Sequence, residues 1–175
     1  MKETIRYAWG RSSLGEFIAA SSDCGLVALE FARREAPPIS ALTSRFPEAE
    51  LVEDSTSLKE TVEKAANLIE HPTAGANLPV DMRGSEFERE VWSALQEIPT
   101  GRTISYLELA CRLGDPRLAQ QVGEACAANK IAVVIPCHRV VGSQGSLGGF
   151  MGVTDGEPIA IKRWLLTHEG YRFGA

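Results

Sequence analysis

A stretch of turn-forming residues divides this chain into two halves with different patterning. Residues 72–83 hold Pro72, Gly75, Asn77 and Pro79, which interrupt helices and strands alike and read as a linker. Before it, residues 5–9, 16–21 and 26–31 are short β-prone runs. Arg11-Ser12-Ser13 with Gly15, and then residues 23–25, supply turns between them. Pro37-Pro38 breaks that series. Helices are predicted over 39–46 and over 57–70, where Leu58, Val62, Ala65 (or Ala66) and Ile69 recur at helical spacing before His71-Pro72.

The second half carries helix start and stop signals. Ser85-Glu86-Phe87-Glu88 is an S-x-x-E capping box, followed by Phe87, Val91, Ala94, Leu95 and Ile98 on one face and by Pro99 and Gly101 at the end. A second S-x-x-E stands at Ser105-Tyr106-Leu107-Glu108. Its helix carries Leu109, Ala110 and Leu113, and Gly114 takes the left-handed cap position. Asp115-Pro116 restarts the chain as N-cap and first helical residue, and a helix over about 116–127 follows with Leu118, Val122 and Ala125 inward. Two short helices joined through a glycine turn form a helix-turn-helix; in a DNA-binding version the second helix faces a groove.

The 175 residues suit one domain or two small ones sharing a surface. No apolar run approaches the ~20 residues that span a bilayer, and the first residues lack the apolar segment of a secretory signal, so a cytoplasmic protein is expected. The net charge is −5. Residues 1–83 carry 9 basic and 13 acidic side chains, and residues 84–175 carry 9 and 10. Any basic DNA-facing patch in the second half is therefore small. The four cysteines form no CxxC pair and are expected to stay reduced in that compartment. Cys24, Cys111 and Cys126 read as buried structural thiols. A zinc site from Cys24 and His71 would need distant partners. Trp92 and Trp164 read as core.

Residues 131–135, Ile-Ala-Val-Val-Ile, read as a buried strand that Pro136 must end, because proline cannot donate to a ladder. Cys137 and His138 follow directly. A cysteine attacks as the thiolate, and a nearby imidazole can accept its proton and hold it as an ion pair. From the residues alone, a structural cysteine beside a surface histidine stands as an equal alternative.

Pro136-Cys137-His138-Arg139-Val140 resembles the active-site signature of the O6-alkylguanine-DNA alkyltransferases, the methylated-DNA–protein-cysteine methyltransferases. The surrounding motifs resemble that family in the same order: Gly101-Arg102-Thr103-Ile104-Ser105-Tyr106 with Leu109-Ala110, Ala127-Ala128-Asn129-Lys130, and K-R-W-L-L-T-H-E-G over 162–170. The likeness is dense over about 84–170, looser over 1–80, and strongest to the C-terminal half of the bacterial adaptive-response member. It implies an α/β (α+β) fold: a small ribonuclease H-like β/α domain over 1–80, then a mainly helical, winged-helix-like domain with the helix-turn-helix over 84–172.

The resemblance also implies roles. Cys137 is similar to the nucleophile and permanent alkyl acceptor, His138 to the base that deprotonates it through a water, and Glu169 to the carboxylate that orients the histidine. Asn129 resembles the residue tying the helix-turn-helix to the active-site turn. Tyr106 resembles the tyrosine that helps rotate the target nucleotide and donates to the purine. Val140 and Met151 fall where backbone groups hold the guanine. The implied reaction is single-turnover transfer from O6-alkylguanine (with O4-alkylthymine as a further candidate) in double-stranded DNA. The base is flipped out of the stack, and the protein acts as a monomer with no cofactor, no metal and no membrane.

Three departures stand out. Gln120 occupies the place of the arginine that usually fills the gap left by the flipped base, and Glu124 lies on the same helix, which implies weaker DNA binding. Phe150 replaces a common tyrosine and keeps only the wall of the pocket. The segment 150–162, with Asp155 and Glu157, is about five residues longer than usual and is expected as a loop bordering the pocket. The competing readings are a damage sensor that binds alkylated guanine without transfer, a Cys–His acyl hydrolase needing an oxyanion hole, and a purely transcriptional helix-turn-helix protein.

Overall fold

Alternation along the first strands builds a sheet that is buried on both faces. In the computed structural model, which describes residues 2–32, 39–74, 77–142, 147–150 and 157–171, the strands are β1 (Glu3–Ser12), β2 (Gly15–Ser21), β3 (Leu26–Phe31) and β4 (Ala49–Glu53). Their order is β3-β2-β1-β4. β1 pairs antiparallel with β2, with Ala8 opposite Ala19, and β2 pairs antiparallel with β3. β4 lies parallel to β1, with Ile5 beside Leu51. The three expected runs are strands, β1 being longer at both ends. β4 is an addition: Ala-Glu-Leu-Val-Glu is a partly exposed edge strand, too short and too charged to signal itself by periodicity.

Phe17 and Ala19 of β2 turn to one face of the sheet and Ile18 and Ala20 to the other, all fully buried. The second face packs on Ile5, Val27, Ala28 and Leu42, the last from α1 (Ile39–Arg45). The first face receives Ala65, Leu68 and Ile69 of α2 (Lys59–Glu70), and the same apolar cluster continues into Trp92 and Leu95 of the second half. The two halves thus share one core. Gly10 permits this packing: a Cβ there would come within 2.3 Å of the Phe17 ring, its cross-strand partner, and 2.8 Å of Val62 on α2.

The second half contains α3 (Glu86–Gln96), β5 (Ile104–Ser105), α4 (Tyr106–Arg112), α5 (Ala119–Ala127), β6 (Val140–Val141) and α6 (Glu157–His168), so the fold is mixed α+β. Both halves of the Ser85–Glu88 capping box form, at 3.1 and 2.9 Å. Ser105 Oγ accepts from the Glu108 N–H at 3.0 Å, Gly114 has φ +106°, and Asp115 caps the Arg117 N–H at 2.9 Å. The helix expected over 116–127 opens as a 3-10 turn, Pro116–Leu118, before α5. Trp92 Nε1 donates to the Ala125 carbonyl at 2.8 Å and ties α3 to α5. Trp164 is only half-buried and stacks on His168, with ring centroids 3.6 Å apart. Segment 150–162 is helical from Glu157 onward; 151–156, with Asp155, lie outside the described residues.

Two sequence expectations are corrected. Residues 131–135 are not a strand but a chain of tight turns. The Ile135 N–H reaches the Ile131 carbonyl at 3.0 Å and the Val134 N–H reaches Ala132 at 2.8 Å, with a single bridge from Ile131 to Leu29 of β3. A run packed on all sides is apolar whether extended or turned, so composition cannot separate the two. Cys24 and Cys111 are exposed; Cys126 and Cys137 are buried.

The outer edge of β3 is covered. Leu26 exchanges hydrogen bonds with Pro79 and Asp81 at 2.9 and 2.7 Å, and Leu29 with Lys130 and Ala132 at 2.8 and 3.0 Å. The linker and the turn before Cys137 therefore extend the sheet instead of leaving a raw edge. Gly10→Ala is expected to destabilise the chain by roughly 1–3 kcal/mol through overpacking between β1 and α2; urea denaturation midpoints measure it, and an unchanged midpoint would refute this account of the sheet–helix contact.

Candidate active site

The turn that delivers Cys137 is organised by one buried amide. Asn129, 6% exposed, follows α5. Its Nδ2 donates to the Ile135 carbonyl and its Oδ1 accepts from the Ile131 N–H, both at 2.9 Å. These bonds curl 131–135 into its compact form and place Val133 at φ +69°, a left-handed conformation that β-branched residues rarely adopt. Strain of this kind persists where the surroundings over-determine it, commonly beside functional groups. The Asn129 side chain also hydrogen-bonds Cys137.

Cys137 opens a 3-10 turn, Cys137–Arg139, and is 5% exposed. Burial pushes its thiol up; the hydrogen bond from Asn129 and the charge of Lys162 oppose that. His138 is fully buried, and its Nε2 lies 2.7 Å from Glu169 Oε2. Arg139 grips the same carboxylate with two nitrogens: Nε donates to Oε1 at 2.8 Å and Nη2 to Oε2 at 3.1 Å. It also donates to the Ile98 carbonyl at 2.7 Å and to Thr100 at 3.2 Å. Burial works against an ionised Glu169, but the bonds from His138 and Arg139 outweigh it and hold the carboxyl down at about 2.

An ionised carboxylate only accepts hydrogen bonds. His138 Nε2 must therefore carry the proton, and Nδ1 of the neutral ring is a lone-pair acceptor. Burial pushes the imidazole down toward that neutral form, with Glu169 opposing. Nδ1 is the one buried side-chain polar atom of the described residues with no hydrogen-bond partner. A buried polar atom left unpaired costs about 1–3 kcal/mol.

The opposite wall comes from α4, the strand pair and α6. β5 and β6 pair in parallel, Ile104 beside Val140, so Tyr106 at the start of α4 stands against the residues after the signature. Burial, with Cys126 and Cys137 nearby, raises the Tyr106 phenol to about 12, so it stays a donor; it reaches the Gly149 carbonyl at 3.5 Å. Gly148, at φ +70°, lets the backbone approach: a Cβ there would lie 2.9 Å from the tyrosine ring and hydroxyl. Phe150 is buried. Lys162 is fully buried, and its Nζ donates to the Val140 carbonyl at 2.6 Å and the Gly149 carbonyl at 2.8 Å.

With this geometry in view, comparison with known proteins is decisive. The family profile for the DNA-binding domain of 6-O-methylguanine DNA methyltransferase matches residues 86–171. The inducible methylated-DNA–protein-cysteine methyltransferase of Bacillus subtilis is 37% identical over 140 residues, covering 78% of this chain and 76% of that protein. This chain belongs to the methylated-DNA–protein-cysteine methyltransferase family. The crystal structure of Mycobacterium tuberculosis O6-methylguanine methyltransferase superposes with a TM-score of 0.78 at 29% identity, covering 98% and 96% of the two chains. That of the same organism's OGT in complex with DNA superposes at 0.76 and 30%, covering 94% and 92%. The bifunctional transcriptional activator/DNA repair enzyme Ada of Escherichia coli K12 is 38% identical over 83% of this chain, but the match covers 41% of Ada. The chain spans about half or less of the length of the first curated relatives it matches.

Among the residues singled out from sequence, Cys137, His138, Glu169 and Asn129 meet around one buried turn, with Tyr106, Val140 and Phe150 in the facing wall. Gln120 stands apart from them, exposed in the first turn of α5, with Glu124 also exposed. Met151 lies outside the described residues. Two members were given no role from sequence. Arg139 sits inside the signature, but its partners lie 30 to 41 positions away. Lys162 showed only as the first letter of a family motif; a lysine on a helix reads as surface until its neighbours are known.

Asn129→Ala leaves the buried Ile131 N–H unpaired, removes one of the two bonds to the Ile135 carbonyl, and is expected to destabilise by about 1–3 kcal/mol; a denaturation midpoint equal to the parent's would exclude the amide as organiser of the turn. Glu169 has a folded-state pKa below its ordinary value, so its contribution is present above about 4.5 and is lost as pH falls through about 2. The stability gap between parent and Glu169→Gln, followed by chemical denaturation, is expected to hold near neutrality and narrow across that window.

Proposed function

We propose that this protein repairs alkylated DNA by moving the alkyl group of O6-alkylguanine onto Cys137 in a single turnover. The observation that carries the reading is a buried cysteine, in a family member, beside an imidazole whose Nε2 is fixed by an ionised carboxylate and whose Nδ1 is left free to accept. His138 takes the Cys137 proton through a bridging water. Glu169, held by Arg139, fixes the tautomer and stabilises the imidazolium. Sγ then attacks the alkyl carbon in line as the bond to O6 breaks, which requires a thiolate already aligned. The purine regains a proton, with Tyr106 donating to the ring. The thioether offers no good leaving group, so the protein acts once.

The remaining assignments extend the same reading. Backbone groups of Val140 and Met151 hold the guanine against Phe150, Asn129 couples the helix-turn-helix to the signature, and Gln120 enters the space left by the flipped base. The partner is double-stranded DNA containing O6-alkylguanine, approached by α4 and α5 of a monomer. The division into a ribonuclease H-like unit over 1–80 and a winged-helix-like unit over 84–172, and a cytoplasmic location, belong to the proposal too. No helix of the described residues is long and apolar enough to cross a membrane.

Incubation with duplex DNA carrying one O6-methylguanine, followed by intact-protein mass spectrometry, is expected to show one added methyl per chain, absent from Cys137→Ala. No gain with DNA binding retained would replace the transferase reading with that of a damage-binding protein. Because a guanidinium adds charge that Gln120 lacks, Gln120→Arg is expected to tighten DNA binding with a steeper salt dependence; fluorescence anisotropy against the same duplex decides it, and unchanged affinity would remove Gln120 from the DNA interface.

A further inference from the structure

Beside the turn that delivers Cys137, the two halves of the chain leave a cavity of about 410 Å³ between them. Val27 and Phe46 of the first half line it together with Trp92, Asn129, Ile131 and Ile135 of the second. None of Cys137, His138, Tyr106 or Glu169 lines it, so it is separate from the alkyl-acceptor pocket. Trp92, Ile131 and Ile135 belong to the buried core, yet they border open space here. Atoms that border a void lack dispersion partners on one side, and the volume is that of a small-molecule site.

The charges around the cavity are of two kinds. Arg45 and Arg83 are matched: Arg45 Nη2 donates to Glu30 at 2.9 Å, and Arg83 donates to Glu3 at 2.9 Å and to Asp81 at 2.8 Å. Their guanidinium carbons stand 5.7 and 5.6 Å from the centroid of the Phe46 ring, so cation–π contacts fix that ring as a wall. Lys130 and Glu48 line the same cavity, are exposed, and have no ion-pair partner among the described residues, each other included. Matched walls with one free cation and one free carboxylate at the solvent side suit a ligand that carries both signs.

We propose that this cavity binds a small zwitterion of the aromatic amino-acid class, its ring buried against Phe46 and Ile135, its carboxylate at Lys130 and its ammonium at Glu48. Burial of the ring supplies the affinity, and the fixed Phe46 ring offers it an offset or edge-to-face partner. The exposed charges contribute little each and set the orientation. The occupant rests on Ile131 and Ile135, the two residues whose backbone Asn129 holds, so it touches the turn before Cys137 from outside the acceptor pocket. The site needs no alkyl transfer to be filled.

Isothermal titration calorimetry of the full chain with tryptophan, N-acetyltryptophan and tryptophanamide tests this, since the second compound lacks the ammonium and the third the carboxylate. Tryptophan is expected to bind in the sub-millimolar range, and each derivative more weakly by about two- to fivefold. Lys130→Gln is expected to weaken tryptophan and N-acetyltryptophan by a similar factor and to leave tryptophanamide unchanged. Glu48→Gln is expected to weaken tryptophan and tryptophanamide and to leave N-acetyltryptophan unchanged. Both residues are exposed, so both variants are expected to fold. In methyl NMR spectra, tryptophan is expected to shift the Ile131 and Ile135 signals and to leave that of Ile161, which does not line the cavity, in place. No binding at millimolar tryptophan, shifts confined to other methyls, or charge variants that bind tryptophan as the parent does would overturn the site. A derivative that binds as tightly as tryptophan would overturn the zwitterion and point instead to the terminal residue of a peptide.

Discussion

Two hydrogen bonds made by the side chain of Asn129 hold the rest of the site in place. Through them the end of α5 grips both ends of the 131–135 turn, and that turn sets where the backbone emerges at Cys137. The same turn is bonded on its other side to Leu29 of β3. Helix-turn-helix, central sheet and signature therefore meet at one segment, and the left-handed Val133 shows how closely it is constrained. A strand, the form suggested by its composition, would have carried Cys137 along the sheet edge. The turn brings it back toward α6 and the wall formed by Tyr106 and Gly149.

Electrostatics explains why the pocket is built from buried charges. Cys137 lies in an apolar wall where burial alone keeps it protonated. The fold answers with two devices from opposite sides. His138, Glu169 and Arg139 form a neutral set that can accept one proton, the carboxylate being fixed by a bidentate guanidinium. Lys162, from α6, adds a cation matched by no carboxylate of the described residues. Each is expensive to bury: the first is satisfied by the Ile98 carbonyl and by bonds among its own side chains, and Lys162 by the Val140 and Gly149 carbonyls. This ties the signature turn to Ile98 behind α3 and to the Gly149 backbone. Charge placement and local rigidity are the same set of hydrogen bonds.

Among the described residues, the first half contributes no side chain to these hydrogen bonds. Its role is mechanical: β3 pairs with the linker and with residues 130–132, and one apolar cluster runs from Phe17 and Leu29 to Trp92, Leu95 and Ile135. Burying the back of the active-site turn against a sheet leaves the helix-turn-helix free on the outer surface. There Gln120 and Glu124 are exposed and α5 carries little positive charge.

Much of this was legible in the chain itself, because the signals are local. Caps at Ser85, Ser105 and Asp115 satisfy backbone groups within three residues, so their spacing announces helices without knowledge of the fold. The first three strands followed from runs between turn formers. Cys137 beside His138, with the ordered motifs around them, pointed to one family, and Glu169 and Asn129 came with it. What sequence could not decide depends on partners far apart along the chain. Arg139 meets Glu169, Ile98 and Thr100 only when three segments converge. Lys162 is buried only because α6 packs against β6 and Gly149, and residues 131–135 turn only because Asn129 holds both ends. Burial on every side removes the periodicity that separates strand from turn, and desolvation makes an ordinary lysine a costly cation. Both are properties of the packed molecule, so the tertiary structure alone decided them.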